Sequence, residues 1–369
     1  MSTVVILGSG VMGSALTFPL ADNQHDVRLV GTHLDRETIE AVRAGGPHPG
    51  LGRRLPESVR PYQLEEIEAA FGGAEIVVSG VNSLGVAWAG QRLATVVEPG
   101  MLVIAIAKGM VADQDGELRI LPDVLAEQVP PELRARVPWA AIGGPSIAGE
   151  VAARRDTCVV FAGHQQAALD RLAAAFTTAS YRVWTSTDLV GVEVSAALKN
   201  CYAVGVGFGE GVLDRLGEAD GADRNHNYEA ALFAQATAEI SQMVRLLGGR
   251  PETPYGLAGV GDLFVTSTGG RNIRVARLVG AGLPFSAARA RMGDITLEGA
   301  AAIQAIGGAL PRMTERGVIG PADFPLLRHL HAVVARDAQP AMPWSAFFDG
   351  GAAAGAVAAG VDLSGRGQQ

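Results

Sequence analysis

The first half of the chain alternates short apolar runs with segments of helical periodicity. The apolar runs are bounded by glycine, proline or polar residues, which is typical of buried strands in a parallel sheet. They lie at residues 4–7, 26–30, 75–79, 101–107, 139–143, 157–162 and 181–184. A helical pattern at 166–176 separates the last two. This alternation predicts an α/β domain with a doubly wound sheet.

From about Asp188 onward the chain shows only helical patterns. An apolar helix is predicted at residues 191–208, a polar loop at 209–226, and an amphipathic helix at 228–247 that Gly248 and Gly249 end. Weaker helical patterns continue to about residue 337, and a segment rich in glycine and alanine closes the chain. We therefore predict a sheet domain at 1–187, an all-α domain at 188–345 and a flexible tail at 346–369.

A glycine-rich turn follows the first predicted strand. Gly8, Gly10 and Gly13 form the pattern Gly-x-Gly-x-x-Gly between a strand and a helix, which is the context that a dinucleotide-binding turn requires. The glycines permit a tight turn, the approach of a pyrophosphate and close packing of helix on strand. Pro19 is expected to kink or shorten the helix. The sheet domain is thus predicted to bind a dinucleotide.

The end of the second predicted strand determines how the adenosine ribose is held. A site specific for NAD usually has Asp or Glu about 20 residues past the glycines. This chain has Gly31, Thr32 and His33 there, with Asp35 and Arg36 just beyond. Thr32, His33 and Arg36 are able to accommodate a 2′-phosphate, or they are solvated loop residues. NAD and NADP therefore both stay open.

The apolar helix at 191–208 carries a lysine on a face of small and apolar residues. Lys199 shares that face with Val192, Ser195 and Ala203. Desolvation penalises an ammonium, so apolar surroundings lower a lysine's pKa and suit it to proton transfer near neutral pH. The other interpretation is a core helix whose lysine reaches water along its own stem.

Lys108 and Arg271 are two further candidates for ligand contacts. Lys108 follows the strand predicted at 101–107, and ligands of open parallel sheets bind beyond the carboxyl ends of the strands. The alternative interpretation is that Lys108 is a solvated loop residue. Arg271 follows Gly269 and Gly270 at a predicted helix start, where amides and a guanidinium converge on an anion. The alternative interpretation is that Arg271 pairs with a nearby carboxylate and supports the loop.

Composition and charge exclude several classes of function. The 369 residues carry a formal net charge of −8, which argues against a nucleic-acid or anionic-membrane surface. Cys158 and Cys201 lack CxxC spacing, which indicates a reducing compartment and gives no zinc framework. His329 and His331 have no third ligand nearby, so no metal site is predicted. The N-terminus begins directly with a strand and the most apolar segment holds charges, so we expect a cytoplasmic protein without a membrane span.

These motifs, in this order, resemble the NAD(P)-dependent glycerol-3-phosphate dehydrogenase family. The matching segments are 8–13, 107–109, 144–152, 191–200, 256–263, 266, 269–272 and 297–299. The resemblance implies a Rossmann-type N-terminal domain, a helical C-terminal domain and an active site in the cleft between them. It implies reversible reduction of dihydroxyacetone phosphate to sn-glycerol 3-phosphate with NADH or NADPH, by a homodimer.

The resemblance also implies roles for individual residues. Lys199 is then the general acid and base, and Lys108 and Asp262 are the other catalytic residues. The implied substrate-binding residues are Lys108, Asn200, Thr266, Arg271 and Asn272. The implied cofactor-binding residues are Gly8, Ser9, Gly10, Val11, Met12, Gly13, His33, Lys108, Ala148, Arg271 and Glu298. The chemistry is sensible, because hydride addition puts negative charge on an oxygen that an ammonium stabilises and then protonates.

Two departures from the family pattern bear on the substrate. Asn82 and Ser83 stand where the family usually has Pro-His, and the loop at 209–226 looks longer than the family's. One alternative is therefore a dehydrogenase of the same fold that acts on another polyol phosphate. A second alternative is a non-catalytic dinucleotide sensor. The lysines, aspartate and arginine named above argue against a sensor, because a sensor needs only the glycine turn.

Overall fold

The structure, a computed structural model, describes residues 1–216, 225–293, 295 and 297–348. These residues form two compact units. The N-terminal unit holds Met1–Val111, Arg119–Ala197 and Val244–Asp262. The C-terminal unit holds Ala112–Leu118, Leu198–Met243 and the described residues after Asp262.

An eight-stranded sheet organises the N-terminal unit within the described residues. The strands in chain order are β1 (Thr3–Leu7), β2 (Asp26–Val30), β3 (Arg60–Tyr62), β4 (Ile76–Ser79), β5 (Leu102–Ala105), β6 (Met110–Ala112), β7 (Leu118–Ile120), β8 (Trp139–Gly143), β9 (Thr157–Gly163) and β10 (Tyr181–Ser186). The sheet order is β10-β9-β8-β5-β4-β1-β2-β3, while β6 and β7 form a separate pair. Within the eight-stranded sheet, neighbouring strands are parallel except β8 and β9. This order confirms the predicted Rossmann-type fold.

Both faces of this sheet are buried, as a parallel sheet requires. Along β1, Val4 and Ile6 belong to one apolar cluster, while Val5 and Leu7 belong to a second cluster. All four side chains are fully buried. The alternation of side chains along a strand therefore supplies two cores. These cores explain why the strand segments are continuously apolar in the sequence.

Short helices cover the sheet. They are α1 (Val11–Ala15), α2 (Thr17–Asp22), α3 (Arg36–Arg43), α4 (Ile67–Phe71), α5 (Val86–Leu93), α6 (Leu121–Glu127), α7 (Pro131–Arg134), α8 (Ala148–Ala152) and α9 (Gln166–Phe176). The helix after the glycine turn is interrupted at Leu16, as Pro19 predicts. Pro19 has no N–H to donate to the turn before it, and it lies in the first turn of α2, where that donor is not needed.

The remaining helices follow the sheet in sequence. They are α10 (Leu189–Leu216), α11 (His226–Leu246), α12 (Asp262–Ser267), α13 (Arg271–Gly280), α14 (Phe285–Arg291), α15 (Glu298–Ala302), α16 (Gly308–Glu315), α17 (Pro325–Arg336) and α18 (Trp344–Phe348). The tail predicted from residue 346 begins inside α18, and its residues from 349 onward lie outside the described part of the chain.

The prediction of a loop beginning at residue 209 was wrong, because α10 continues to Leu216. Glycines in this part of α10 are contact points between helices. A Cβ added to Gly211 would lie 2.0 Å from the Arg277 carbonyl oxygen on α13, and one added to Gly207 would lie 2.8 Å from the Ala276 side chain. Glycine is therefore required by close packing. Residues 217–224 of the predicted loop lie outside the described residues.

Among the described helices, α10 is the one long and apolar enough to cross a membrane by length and composition. In its most apolar stretch, 94% of the residues are buried within the protein. Such burial is typical of a helix in a protein core.

Candidate active site

The turn after β1 has the geometry that its glycines predict. Gly8 has a φ of 112°, in the region that favours glycine, and a Cβ there would lie 2.8 Å from the carbonyl carbon of Gly80. A Cβ on Gly13 would lie 2.6 Å from the Gly8 carbonyl oxygen. These contacts fix the turn at the ends of β1 and β4, where the strand order reverses and nucleotides bind in such sheets.

The surface at Gly10 fits a dinucleotide pyrophosphate. The protein atom nearest to a Cβ on Gly10 would be the Gly80 carbonyl oxygen at 3.7 Å, so the backbone is open there. Helix α1 begins at Val11 without a side-chain cap. The buried Ser9 Oγ has no hydrogen-bond partner among the described residues. Bare backbone and uncapped amides are what a phosphate group needs, so residues 8–13, including Met12, fit the predicted cofactor.

Asp35 is a candidate that the sequence reasoning placed outside the ribose site. The turn after β2 brings its carboxylate back to the glycine turn, where Oδ2 accepts hydrogen bonds from the Ser9 amide at 3.2 Å and the Thr32 amide at 2.8 Å. Thr32 Oγ1 also donates to Oδ2, at 2.9 Å. Its position 22 residues past Gly13 was a usable signal. A carboxylate therefore does stand beside the glycine turn.

Two other predicted cofactor residues belong to the same unit. His33 is exposed, and its ring meets that of Trp88 edge-on with a centroid separation of 5.2 Å. Ala148 is the first residue of α8 and is partly buried against the sheet. Trp88 was missed by sequence reasoning, because a single tryptophan in a helical pattern gives no sign of what it contacts.

Lys108 follows β5 as predicted, and two acceptors hold its ammonium. Nζ donates to Asp262 Oδ2 at 2.6 Å and to the Gly144 carbonyl oxygen at 2.9 Å. The side chains of Lys108 and Asp262 are only 18% and 3% exposed. A pair so shielded from water is stable only with good geometry and further hydrogen bonds. The structure thus joins two of the predicted catalytic residues.

Lys199 is buried in the C-terminal unit, where its Nζ donates to Thr266 Oγ1 at 2.7 Å. Helix α10, which carries it, starts at a well-defined cap. Asp188 Oδ1 accepts from the Gly191 amide at 3.0 Å, a standard N-cap bond. Asp188 Oδ2 accepts from the Thr253 hydroxyl at 2.6 Å. The start of the helix is therefore fixed by side-chain bonds.

Helix α12 supplies an acceptor to each of the two lysines. Asp262 belongs to the N-terminal unit and accepts from Lys108, and Thr266 belongs to the C-terminal unit and accepts from Lys199. The helix is preceded by a π-helical segment, Leu257–Gly261, a feature frequent at functional sites. The backbone irregularity therefore falls immediately before a predicted catalytic residue.

The predicted phosphate-binding residues gather at two helix starts in the C-terminal unit. Arg271 opens α13, and its guanidinium lies 3.9 Å from Glu298 Oε1 at the start of α15. Asn272 Oδ1 accepts from the Gly299 amide at 3.1 Å. A Cβ on Gly299 would lie 2.5 Å from the backbone oxygen of the buried Asn200. Three predicted substrate residues are thus neighbours.

Comparison with known proteins decides the family. Residues 3–169 match the model of the NAD-dependent glycerol-3-phosphate dehydrogenase N-terminus, and residues 188–344 match that of its C-terminus. The chain belongs to this family. The resemblance inferred from the motifs is therefore confirmed, and the protein is an NAD(P)-dependent oxidoreductase.

Individual relatives are similar to this chain over most of their length. The NADP(+)-dependent glycerol-3-phosphate dehydrogenase of Archaeoglobus fulgidus is 35% identical over 77% of this chain and 82% of its own. The glycerol-3-phosphate dehydrogenase [NAD(P)+] of Shouchella clausii is 32% identical over 92% of this chain and 94% of its own. The crystal structure of glycerol-3-phosphate dehydrogenase from Coxiella burnetii superposes with a TM-score of 0.74 at 26% identity, over 94% of this chain and 98% of its own.

Proposed function

We propose that Lys199 is the proton donor and acceptor when this protein interconverts dihydroxyacetone phosphate and sn-glycerol 3-phosphate. The observation that carries the proposal is the buried Lys199 side chain, whose Nζ donates to Thr266 Oγ1 at 2.7 Å. During reduction the carbonyl oxygen gains negative charge, which a fixed ammonium stabilises and then neutralises with its proton. The nicotinamide group supplies the hydride when the cofactor is bound.

Lys108 contacts the substrate in this proposal, and Asp262 orients it. The carboxylate and the Gly144 carbonyl oxygen fix the ammonium, so it needs little reorganisation when an oxygen anion forms. The phosphate end is held by Asn200, Arg271 and Asn272. Helix α13 supports this assignment because it starts after Gly270, without a side-chain cap on its first amides.

A steady-state assay with a panel of phosphorylated ketones, using NADH and NADPH in parallel, tests the proposal. Dihydroxyacetone phosphate is expected to give the highest kcat/KM. A higher value for another ketone phosphate would favour the alternative polyol phosphate. Asn82, one of the two departures from the family pattern, uses its side-chain oxygen to cap the turn at Gly85, which is a local structural role.

Arg271→Ala is expected to lower kcat/KM for the phosphorylated ketone by at least about tenfold, because a charged hydrogen bond contributes roughly 1.5–3 kcal/mol. Turnover of unphosphorylated dihydroxyacetone should change far less, since that molecule lacks the contact. Arg274→Ala, on the same helix and also exposed, is the matched control. If Arg271 serves only its pair with Glu298, the ratio of the two kcat/KM values will equal that of the parent.

Both NAD(H) and NADP(H) are expected to bind with measurable affinity in calorimetric titrations. The Asp35 oxygen that faces the glycine turn is already bound by protein donors, which tempers its repulsion of a 2′-phosphate. Gly10→Val should abolish the binding of both cofactors, because the valine side chain occupies the place of the pyrophosphate. The fold should survive, because a Cβ at Gly10 approaches no protein atom closer than 3.7 Å. Detectable binding of only one cofactor would contradict the expectation.

We also propose that residues 1–187 bind the dinucleotide and residues 188–345 bind the substrate, in a cytoplasmic homodimer. The glycine turn in the first segment and Arg271 in the second support this division. Sedimentation equilibrium tests the dimer, and a monomer at all concentrations would reject it.

A further inference from the structure

Glu193 is a buried carboxyl that the reaction described above does not use. It lies on α10 in the N-terminal unit and is fully buried. Neither of its carboxyl oxygens has a hydrogen-bond partner among the described residues. A buried carboxyl group without a hydrogen-bond partner destabilises a fold. Buried polar groups of this kind are concentrated at functional sites.

The surroundings of Glu193 connect it to the Lys108 site. Burial raises the pKa of the Glu193 carboxyl to about 8, the Lys108 ammonium opposes this rise, and the negative charge of Asp123 on α6 adds to it. Lys108 itself is bound to Asp262 and to the Gly144 carbonyl oxygen. Packing places Glu193 beside this site. A Cβ added to Gly143 would lie 2.5 Å from Val192 Cγ1, one residue before Glu193 on α10, and Gly143 directly precedes the Gly144 carbonyl group that holds Lys108.

We propose that Glu193 is a positioning residue that, as a neutral acid, keeps the charge of Lys108 available to the anionic substrate. With Glu193 neutral, the charges of Lys108 and Asp262 balance. Ionised Glu193 would add a negative charge in a poorly solvated region, where electrostatic interactions are strong. The substrate is an anion near neutral pH because its phosphate group is ionised, so its binding at Lys108 would weaken. The inference rests on the proposed contact between Lys108 and the substrate.

The test is the pH dependence of kcat/KM for dihydroxyacetone phosphate in the parent and in Glu193→Gln. Glutamine has the shape of the neutral acid but does not ionise. The ratio of variant to parent should be about one at pH 7. It should reach about ten at pH 9, where an acid of pKa about 8 is roughly one-tenth protonated. The difference should lie in KM, with kcat at saturation equal in the two proteins.

Taking the ratio removes the contribution of other titrating groups, including Lys199, because both proteins share them. Equal cofactor binding by the two proteins, measured by fluorescence titration, excludes an indirect effect through the dinucleotide. A ratio that is the same at pH 7 and pH 9 would overturn the proposal, because a merely structural role predicts a constant change.

Asp123→Asn gives a second test that leaves the buried carboxyl in place. Asp123 is exposed, so the substitution is tolerated. Removing its charge lowers the pKa of Glu193, so the alkaline loss of kcat/KM should move to lower pH. In the Glu193→Gln background the same substitution should have no effect. An unmoved profile in the parent background would reject the proposal even if Glu193→Gln failed to fold.

Failure of this inference is distinguishable from failure of the proposed function. If Lys199→Met retained activity, the assigned proton donor would be wrong whatever the Glu193 ratio. If the ratio of kcat/KM between Glu193→Gln and the parent were the same at pH 7 and pH 9 while Lys199→Met was inactive, only the role proposed for Glu193 would be wrong.

Discussion

Replacing Lys199 with methionine is expected to lower kcat by about 10² to 10⁴, the usual contribution of a positioned general acid. Methionine keeps much of the volume of the lysine stem, so the helix should pack almost as before. The variant loses the proton and the charge that stabilise the developing oxyanion. Single-turnover and steady-state assays at saturating cofactor and substrate measure the loss directly.

Two further variants separate the proton from the charge of Lys199. Lys199→Arg keeps a positive charge but does not release a proton at any accessible pH. Its kcat should therefore be close to that of the methionine variant. Thr266→Val removes the hydroxyl that Lys199 Nζ contacts at 2.7 Å, and it should reduce kcat by a smaller factor because the ammonium is still present. Near-parental turnover by Lys199→Met would make Lys199 an ordinary core residue.

The sheet was predictable because its information is local. In β1 the apolar residues follow one another without interruption, and the glycine turn comes directly after it. The reading of α10 failed at Gly209 and Gly211 for the opposite reason. A glycine that packs against a helix and a glycine that ends one look the same in the sequence. Only the neighbouring helices distinguish them, α11 at Gly209 and α13 at Gly211.

Some residues of the candidate site could likewise be predicted from local sequence signals, and others could not. Lys108 and Arg271 could be proposed because their neighbours along the chain, a strand end and a pair of glycines, indicate a ligand. Asp35 was passed over because a tight turn, with its amide bonded to the Thr32 carbonyl, reverses its direction. The sequence shows Glu193 only as a charged residue in the apolar helix that carries Lys199. Its isolation depends on residues distant in sequence, which no local pattern reports.

A second buried glutamate, Glu239, has the opposite environment and is fully hydrogen-bonded. Oε1 accepts from the Leu326 amide at 2.7 Å and the Gln235 side chain at 2.9 Å. Oε2 accepts from the Leu327 amide at 3.0 Å and the Tyr202 hydroxyl at 2.8 Å. The cap residue of α17 makes no side-chain bond of its own. Glu239 therefore caps α17 from a helix far away in sequence.

Glu239→Ala is accordingly expected to lower the free energy of unfolding by on the order of 3–5 kcal/mol. The substitution leaves two backbone amides, the Gln235 side-chain amide and the Tyr202 hydroxyl without this acceptor, each at the lower end of about 1–3 kcal/mol, and it removes the cap of α17. Urea denaturation followed by circular dichroism measures the change. Glu229→Ala, on the same helix but partly exposed, should change the stability by no more than about 0.5 kcal/mol. Equal losses in the two variants would mean that the amides of α17 find water instead, and that Glu239 does not hold the helix.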